Sequence, residues 1–185
     1  MEHETIAEAR GKMAKSLNNF QQEIVHIRTG RASAGLLDNI EVEVYGQHMK
    51  LNQLATVNAP EPRLLTIQPW DKANVDPIER AIQASPLEVN PQNDGTLIRI
   101  PLPPLSEERR KEYVKVVGKL AEETRVSIRN IRRHEVEAVK KLQKGGDMPE
   151  DDAHRLTDEI QKVTDEFIGK VDSAYKAKEA DIMEV

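Results

Sequence analysis

Four arginines lie close together in the second half of the chain and have the right chemistry to bind an anion. They are Arg125, Arg129, Arg132 and Arg133, and on a helical wheel at 100° per residue they share one sector of about 100°. Four like charges repel one another unless an anion or a set of carboxylates lies among them. Because a planar guanidinium group binds phosphate through two hydrogen bonds, the pattern favours a nucleic-acid backbone as the ligand.

Carboxylates of the same helix offer a second interpretation of this face. Glu122 and Glu135 are near enough in sequence to form ion pairs with the arginines, which would leave an ordinary solvated surface. The distribution of charge favours the first interpretation. Residues 106–144 carry twelve basic and seven acidic side chains, although the whole chain has a net charge of −5.

Three more arginines are candidates for the same surface. Arg28 ends the first predicted helix, Arg31 follows it closely, and Arg110 begins the second. A cation in the first turn of a helix is unfavourable beside the positive end of the helix dipole. Arg109 and Arg110 therefore indicate either a bound anion or a carboxylate partner.

Catalytic and metal-binding patterns are missing from the sequence. The five histidines are scattered, there is no cysteine, and there is no P-loop or dinucleotide-binding glycine pattern. Asp151 and Asp152 resemble a metal-binding pair, but acidic residues at a helix start have a simpler explanation in the helix dipole. We predict a protein that is not an enzyme and that has no catalytic residue, metal or cofactor.

Composition narrows the class of ligand and the location. Single-strand binders present aromatic stacking platforms, and this chain has only six aromatic residues, so we expect structured RNA or a duplex backbone instead. No stretch approaches the roughly 20 apolar residues of a membrane helix. The start of the chain lacks the basic and apolar regions of a secretory signal. We expect a cytoplasmic protein that binds no membrane.

Three long amphipathic helices must position the arginines. Apolar residues recur every three or four positions over residues 2–28, over 106–144 and from Pro149 onwards. A helix over 106–144 would be roughly 58 Å long and could not bury its apolar stripe alone. We therefore predict an elongated three-helix bundle. Gly30 is expected to end the first helix with a positive φ, and Ser106 to cap the second.

The segment between the first two helices has a different pattern. It contains nine of the ten prolines and several short β-prone runs. The fold class predicted is α+β with two domains: the bundle, from residues 1–29 and 106–185, and an inserted small β/α/β domain over 31–104. We expect strands near 40–45, 54–58, 64–68 and 96–100, and a short helix over 76–85.

Two connections join the predicted domains, at residues 29–31 and 101–105. The first can bend at a glycine, and the second is proline-rich and extended. Two parallel connections would restrict the motion to a hinge, and a fixed interface between the domains is the alternative. The predicted hinge residues are Thr29, Gly30, Arg31, Pro101, Pro103 and Pro104.

Segments along nearly the whole chain resemble the signature of the ribosome recycling factor family. These segments are Ile27-Arg28-Thr29-Gly30-Arg31-Ala32-Ser33, Asn90-Pro91 with Asn93-Asp94-Gly95, Ile98 to Lys111, Arg129-Asn130-Ile131-Arg132-Arg133, and Asp158 to Asp165. They occur in the order of the family, and as a set they are specific. The sequence differs at His134-Glu135, where the family usually has Asp-Ala.

The resemblance implies a function after the termination of translation. Members of the family are L-shaped, with an outline like that of tRNA, and their bundle lies along ribosomal RNA of the large subunit. With elongation factor G and GTP they help to separate the subunits and release them from mRNA. The resemblance implies that Arg132 is the main contact to ribosomal RNA, with Arg28, Arg31, Arg110, Arg129 and Arg133 beside it. We also expect a monomer that binds no DNA.

Two other functions fit the same residues. A coiled-coil adaptor or chaperone-like protein would show an exposed apolar seam, and Val114, Val116 and Val126 lie off the predicted core stripe. A structured-RNA-binding protein without a role in recycling would keep the arginine face alone.

Overall fold

The structure, a computed structural model, describes residues 3–184. It has four α-helices and six β-strands in the order α1, β1 to β4, α2, β5, β6, α3, α4. The helices are α1 (Glu4–Val25), α2 (Val75–Gln83), α3 (Glu107–Gly145) and α4 (Glu150–Met183). The strands are β1 (Glu41–Val44), β2 (Gln47–Lys50), β3 (Ala55–Glu61), β4 (Leu64–Pro69), β5 (Gln92–Asn93) and β6 (Ile98–Pro101).

The chain forms two compact units. The described part of the first comprises residues 3–24 and 115–179, and that of the second comprises 25–114 and 180–184. The first unit is helical, and the second contains both β-sheets. This confirms the predicted α+β fold with two domains. Both connections predicted from the sequence lie within the second unit.

The helical unit buries one apolar stripe from each long helix, as the periodicity predicts. Met13 of α1, Ile128 of α3 and Ile160 of α4 are fully buried. Such burial is worth roughly 1.5–3 kcal/mol per large apolar side chain, which explains why helices of this length form together.

The ends of α3 are formed by specific capping residues. The backbone N–H of Arg109 donates to Ser106 Oγ at 3.2 Å, which confirms Ser106 as the N-cap. At the other end Gly146 has φ +84°, and the N–H of Asp147 donates to the carbonyl of Leu142 at 3.0 Å. This glycine-dependent C-terminal arrangement stops the helix before α4 begins.

The small domain contains a hairpin, a four-stranded antiparallel sheet and α2. Strands β1 and β2 are joined by Tyr45-Gly46, both with positive φ, and the larger sheet has the order β3-β4-β6-β5. Ile78 and Ile82 of α2 are buried in the same core as Ile67 of β4. Strand β2 is absent from the sequence prediction because three of its four residues are exposed, so it has no alternating pattern.

The prediction for Gly30 was wrong. Helix α1 ends at Val25, and positive φ values among the described glycines occur only at Gly46, Gly95 and Gly146. Gly30 meets a different requirement, because a Cβ atom at this position would lie 2.9 Å from the carbonyl oxygen of Glu184. A close approach of backbone segments, and not a left-handed conformation, explains the glycine.

Candidate RNA-binding surface

Arg125 is held by carboxylates from two helices. Its Nε atom donates to Asp172 Oδ1 at 2.8 Å, and its Nη1 atom donates to Glu122 Oε2 at 3.0 Å. Only 20% of the side chain is exposed. Burial alone would lower the pKa of Arg125, but the hydrogen bonds that it donates to Asp172 and Glu122 raise the pKa overall. The charge of Arg125 is therefore neutralised within the protein.

Arg129 shares the same carboxylate. Its Nη1 atom lies 3.1 Å from Glu122 Oε1, and hydrogen bonds from Arg125 and Arg129 lower the pKa of Glu122. The interpretation by intrahelical ion pairs therefore holds at these two arginines. Glu135 takes no part, because it is 3% exposed and pairs instead with Lys12 of α1 at 2.8 Å.

Arg132 and Arg133 form no ion pair with any carboxylate of residues 3–184. Arg132 Nη1 donates to the amide oxygen of Gln161 on α4 at 3.1 Å, and a neutral amide does not cancel a charge. Arg133 is exposed, and within residues 3–184 it has no ion pair or side-chain hydrogen bond. Of the four arginines that share one face of α3, Arg132 and Arg133 are therefore the two available to an anion.

Three lysines near the end of α3 extend this free charge. Lys140, Lys141 and Lys144 are exposed and form no ion pair with any residue that the structure describes. Arg133, Lys140 and Lys144 are spaced by seven and four residues, which puts them within about 40° of one another over roughly 16 Å of helix. Sequence analysis missed this line, although the spacing was visible.

Arg28 and Arg110 are buried. Arg28 is 9% exposed and donates to the carbonyl of Pro103, and burial lowers its pKa. Arg110 is 8% exposed and donates through Nε to the carbonyl of Leu105 at 3.3 Å. Their role in RNA binding stays a prediction.

The arginines beside them have carboxylate partners. Arg31 is 70% exposed and forms an ion pair of 2.6 Å with Glu184. Arg109 contacts Glu88 at 3.2 Å and Glu112 at 3.3 Å. Of the two explanations offered for a cation at the start of α3, a carboxylate partner is therefore the one found for Arg109.

Residues 3–184 contain neither a metal-binding cluster nor a membrane-spanning helix. No group of three or more histidine, aspartate or glutamate side chains in this part of the chain could hold a metal ion. None of the helices described is long and apolar enough to cross a membrane. Asp152, in the first turn of α4, pairs with Arg155 at 3.0 Å, as expected of a helix start.

The comparisons with known proteins agree on one family. The family model described as ribosome recycling factor matches residues 20–183. The ribosome-recycling factor of Halalkalibacterium halodurans is 49% identical over 185 residues, and that of Bacillus subtilis is 47% identical, each with full coverage of both chains.

Solved structures give the same result for the fold. A solution structure of ribosome recycling factor matches with a TM-score of 0.80 and 39% identity over 100% of both chains. A chain from models of the T. thermophilus ribosome recycling factor and E. coli elongation factor G, bound to the E. coli post-termination complex, matches with a TM-score of 0.70 and 48% identity over 98% of both chains. The chain therefore belongs to the ribosome recycling factor family, whose members are non-catalytic translation factors.

Proposed function

We propose that this chain binds the ribosome left after termination and, with elongation factor G and GTP, separates its subunits and releases them from mRNA. One observation carries the proposal: a relative 48% identical over 98% of the chain has been described on a post-termination complex together with elongation factor G. Because bacterial ribosomes are cytoplasmic, we propose the same location for this chain, and we propose that it acts as a monomer.

The helical unit is proposed to bind ribosomal RNA of the large subunit. Arg132 and Arg133 supply charge that no carboxylate of the described chain neutralises, and Arg125 and Arg129 contribute only where a phosphate displaces Glu122. Each phosphate neutralised would release counterions, with a slope of about 0.7–0.9 in the logarithm of affinity against the logarithm of salt concentration. Binding should therefore be strongly dependent on salt.

The connections at residues 29–31 and 101–105 are proposed as the hinge of the mechanism. In this view residues 1–29 and 106–185 bind the ribosome, while the small domain, 31–104, moves when elongation factor G acts on it. The high proline content of the second connection supports a bending motion restricted to a few residues.

A polysome-breakdown assay tests the function. Ribosomes should leave polysomes only when the chain, elongation factor G and GTP are all present, and subunits should appear in the gradient. Arg132→Ala should reduce binding to large subunits by about tenfold at moderate salt, with unchanged helix content by circular dichroism.

Two outcomes contradict the proposal and identify the alternatives. Binding to vacant ribosomes without release of subunits would indicate an RNA-binding protein with no recycling role. No co-sedimentation at all would favour the adaptor, whose partner surface would include the exposed side chains of Val116 and Val126, 48% and 43% exposed.

A further inference from the structure

The buried guanidinium group of Arg110 joins three segments of the second unit. Its Nε donates to the carbonyl of Leu105, and its Nη1 donates to the carbonyls of Ile182, at 3.3 Å, and Glu184. Ile182 lies in the last turn of α4 and Glu184 directly follows the helix, where unpaired carbonyls carry partial negative charge. A cation is therefore well placed there, and Arg110 holds the end of α4 against the start of α3.

Two more contacts tie the connections to the same place. Arg28 donates to the carbonyl of Pro103, in the second connection, although its Nε has no partner among the described residues. Arg31, in the first connection, forms its ion pair with Glu184. Gly30 passes so close to the Glu184 carbonyl that any side chain there would displace it.

The other side of each connection is bound to the small domain. The N–H of Ala32 donates to the carbonyl of Pro62 at 2.6 Å, and the N–H of Leu102 donates to the carbonyl of Arg63 at 2.8 Å. The turn between β3 and β4 therefore binds the two connections on one side. On the other side, Arg28 contacts the second connection, and Arg31 and Arg110 contact residues 182–184.

We infer that Arg28 and Arg110 are positioning residues, and not ligands of RNA: they form an arginine clasp that fixes residues 182–184 and the two connections to one another. The clasp is defined as these two arginines and the carbonyls of Pro103, Leu105, Ile182 and Glu184. Arg110 is only 8% exposed, and a phosphate that took the N–H groups of its Nε and Nη1 atoms would deprive three carbonyls of a charge-assisted hydrogen bond. A phosphate that bound the exposed Arg133 would break no such hydrogen bond.

The clasp bears on function because the two connections are the proposed hinge, so this inference rests on the proposed function. Contacts that hold the connections together limit how readily they bend. Loosening the clasp should therefore change the rate of subunit separation, while the affinity for ribosomes stays the same.

The test compares Arg110→Lys and Arg110→Gln with Arg133→Gln as the matched control. Lysine keeps the charge, which a phosphate contact needs, but it cannot reproduce the planar donor geometry that serves three carbonyls. Each full-length variant is measured for hydrogen exchange of the backbone amides of residues 180–184, affinity for vacant ribosomes at several salt concentrations, and rate of polysome breakdown.

The clasp predicts that both Arg110 variants behave alike. Amide exchange at residues 180–184 should become about tenfold faster, and the rate of polysome breakdown should change by at least about threefold. The affinity for ribosomes should stay within about twofold of the parent's, and the salt slope within about 0.3. Arg133→Gln should instead lower the salt slope by about one and leave the amide exchange at residues 180–184 unchanged.

Other outcomes overturn the clasp. If Arg110→Lys binds as the parent does while Arg110→Gln loses affinity and salt slope, Arg110 is a phosphate ligand. Gly30→Ala provides a variant in which no charge is removed, and unchanged exchange at 180–184 in this variant and both Arg110 variants would show that no clasp exists. Failure of the parent protein to bind ribosomes would refute the proposed function instead, and the exchange results would still decide the clasp.

Discussion

Arg125 of α3 and Asp172 of α4 form an ion pair with 2.7 Å between Nη2 and Oδ1. Glu122 completes the neutralisation, so this arginine joins two helices instead of presenting its charge to a ligand. The four arginines on this face of α3 therefore have two roles. Some stabilise the helical unit through ion pairs, and others are free to bind an anion.

Replacing Arg125 should affect stability more than binding. Arg125→Ala leaves Asp172 and Glu122 without their partner and removes packed methylene groups, so we expect the free energy of unfolding to fall by about 1 kcal/mol. Urea unfolding measures this loss, and a double-mutant cycle with Asp172→Ala isolates the pair. An Arg125→Ala protein of parental stability with a lower salt slope would place Arg125 among the RNA ligands.

The lysines at the end of α3 should contribute to binding in the same way as Arg133. We expect Lys140→Gln with Lys144→Gln to weaken ribosome binding and to lower the salt slope by about one to two, because each neutralised phosphate contributes close to one. Ribosome co-sedimentation at several salt concentrations measures the slope. Lys119→Gln is the matched control, since Lys119 is also exposed on α3 but pairs with Glu123. If the variant with both Lys140→Gln and Lys144→Gln had the same salt slope as Lys119→Gln, the line of charge at the end of α3 would be excluded as a binding surface.

The long helices were predictable because each has an apolar stripe that repeats over several turns. Ser106 and Gly146 mark the ends of α3 by residue types that suit caps. The partners of the arginines could not be predicted in the same way. Asp172 lies 47 residues from Arg125 in the sequence, and only the packing of α3 on α4 brings the two together.

The burial of Arg28 and Arg110 could not be predicted from the sequence either. Arginine is normally a surface residue, and the partners of Arg28 and Arg110 are backbone carbonyls, which leave no pattern of residue types. The end of α1 was placed too late for a related reason. Apolar spacing continues through Ile27, but the chain leaves the helix after Val25 and follows contacts of the second unit.

Gly118 lies in the middle of α3, where glycine costs roughly 1 kcal/mol relative to alanine. A Cβ atom there would lie 3.7 Å from the ring of Tyr175, which is an ordinary packing distance. We therefore expect Gly118→Ala to raise the free energy of unfolding by about 0.5–1 kcal/mol. Thermal or urea unfolding measures the gain. Gly146→Ala is the contrasting variant, because φ +84° disfavours any side chain and should give a loss. A loss in Gly118→Ala would mean that the Tyr175 ring cannot adjust.

Asp94 should make the stability of the small domain depend on pH in the acidic range. Its Oδ1 atom accepts hydrogen bonds from the backbone N–H groups of Leu97, at 2.8 Å, and Thr96, at 3.0 Å, and these bonds hold the pKa of Asp94 well below its ordinary value of 3.8. A carboxyl whose pKa is lower in the folded state stabilises the fold fully above its unfolded pKa, and this contribution is lost as the pH falls through the folded value.

We therefore expect the parent to lose stability as the pH falls below about 4, and Asp94→Asn to show a smaller loss over the same range because its side chain does not titrate there. Asp94→Asn should also be less stable than the parent at pH 7, since an amide oxygen is a weaker acceptor than a carboxylate. Urea midpoints between pH 2.5 and 7 measure both effects. Glu61→Gln, another exposed position of the small domain, is the control and should follow the parent. Parallel pH profiles for the parent and Asp94→Asn would show that the turn at 94–97 does not depend on the charge of Asp94.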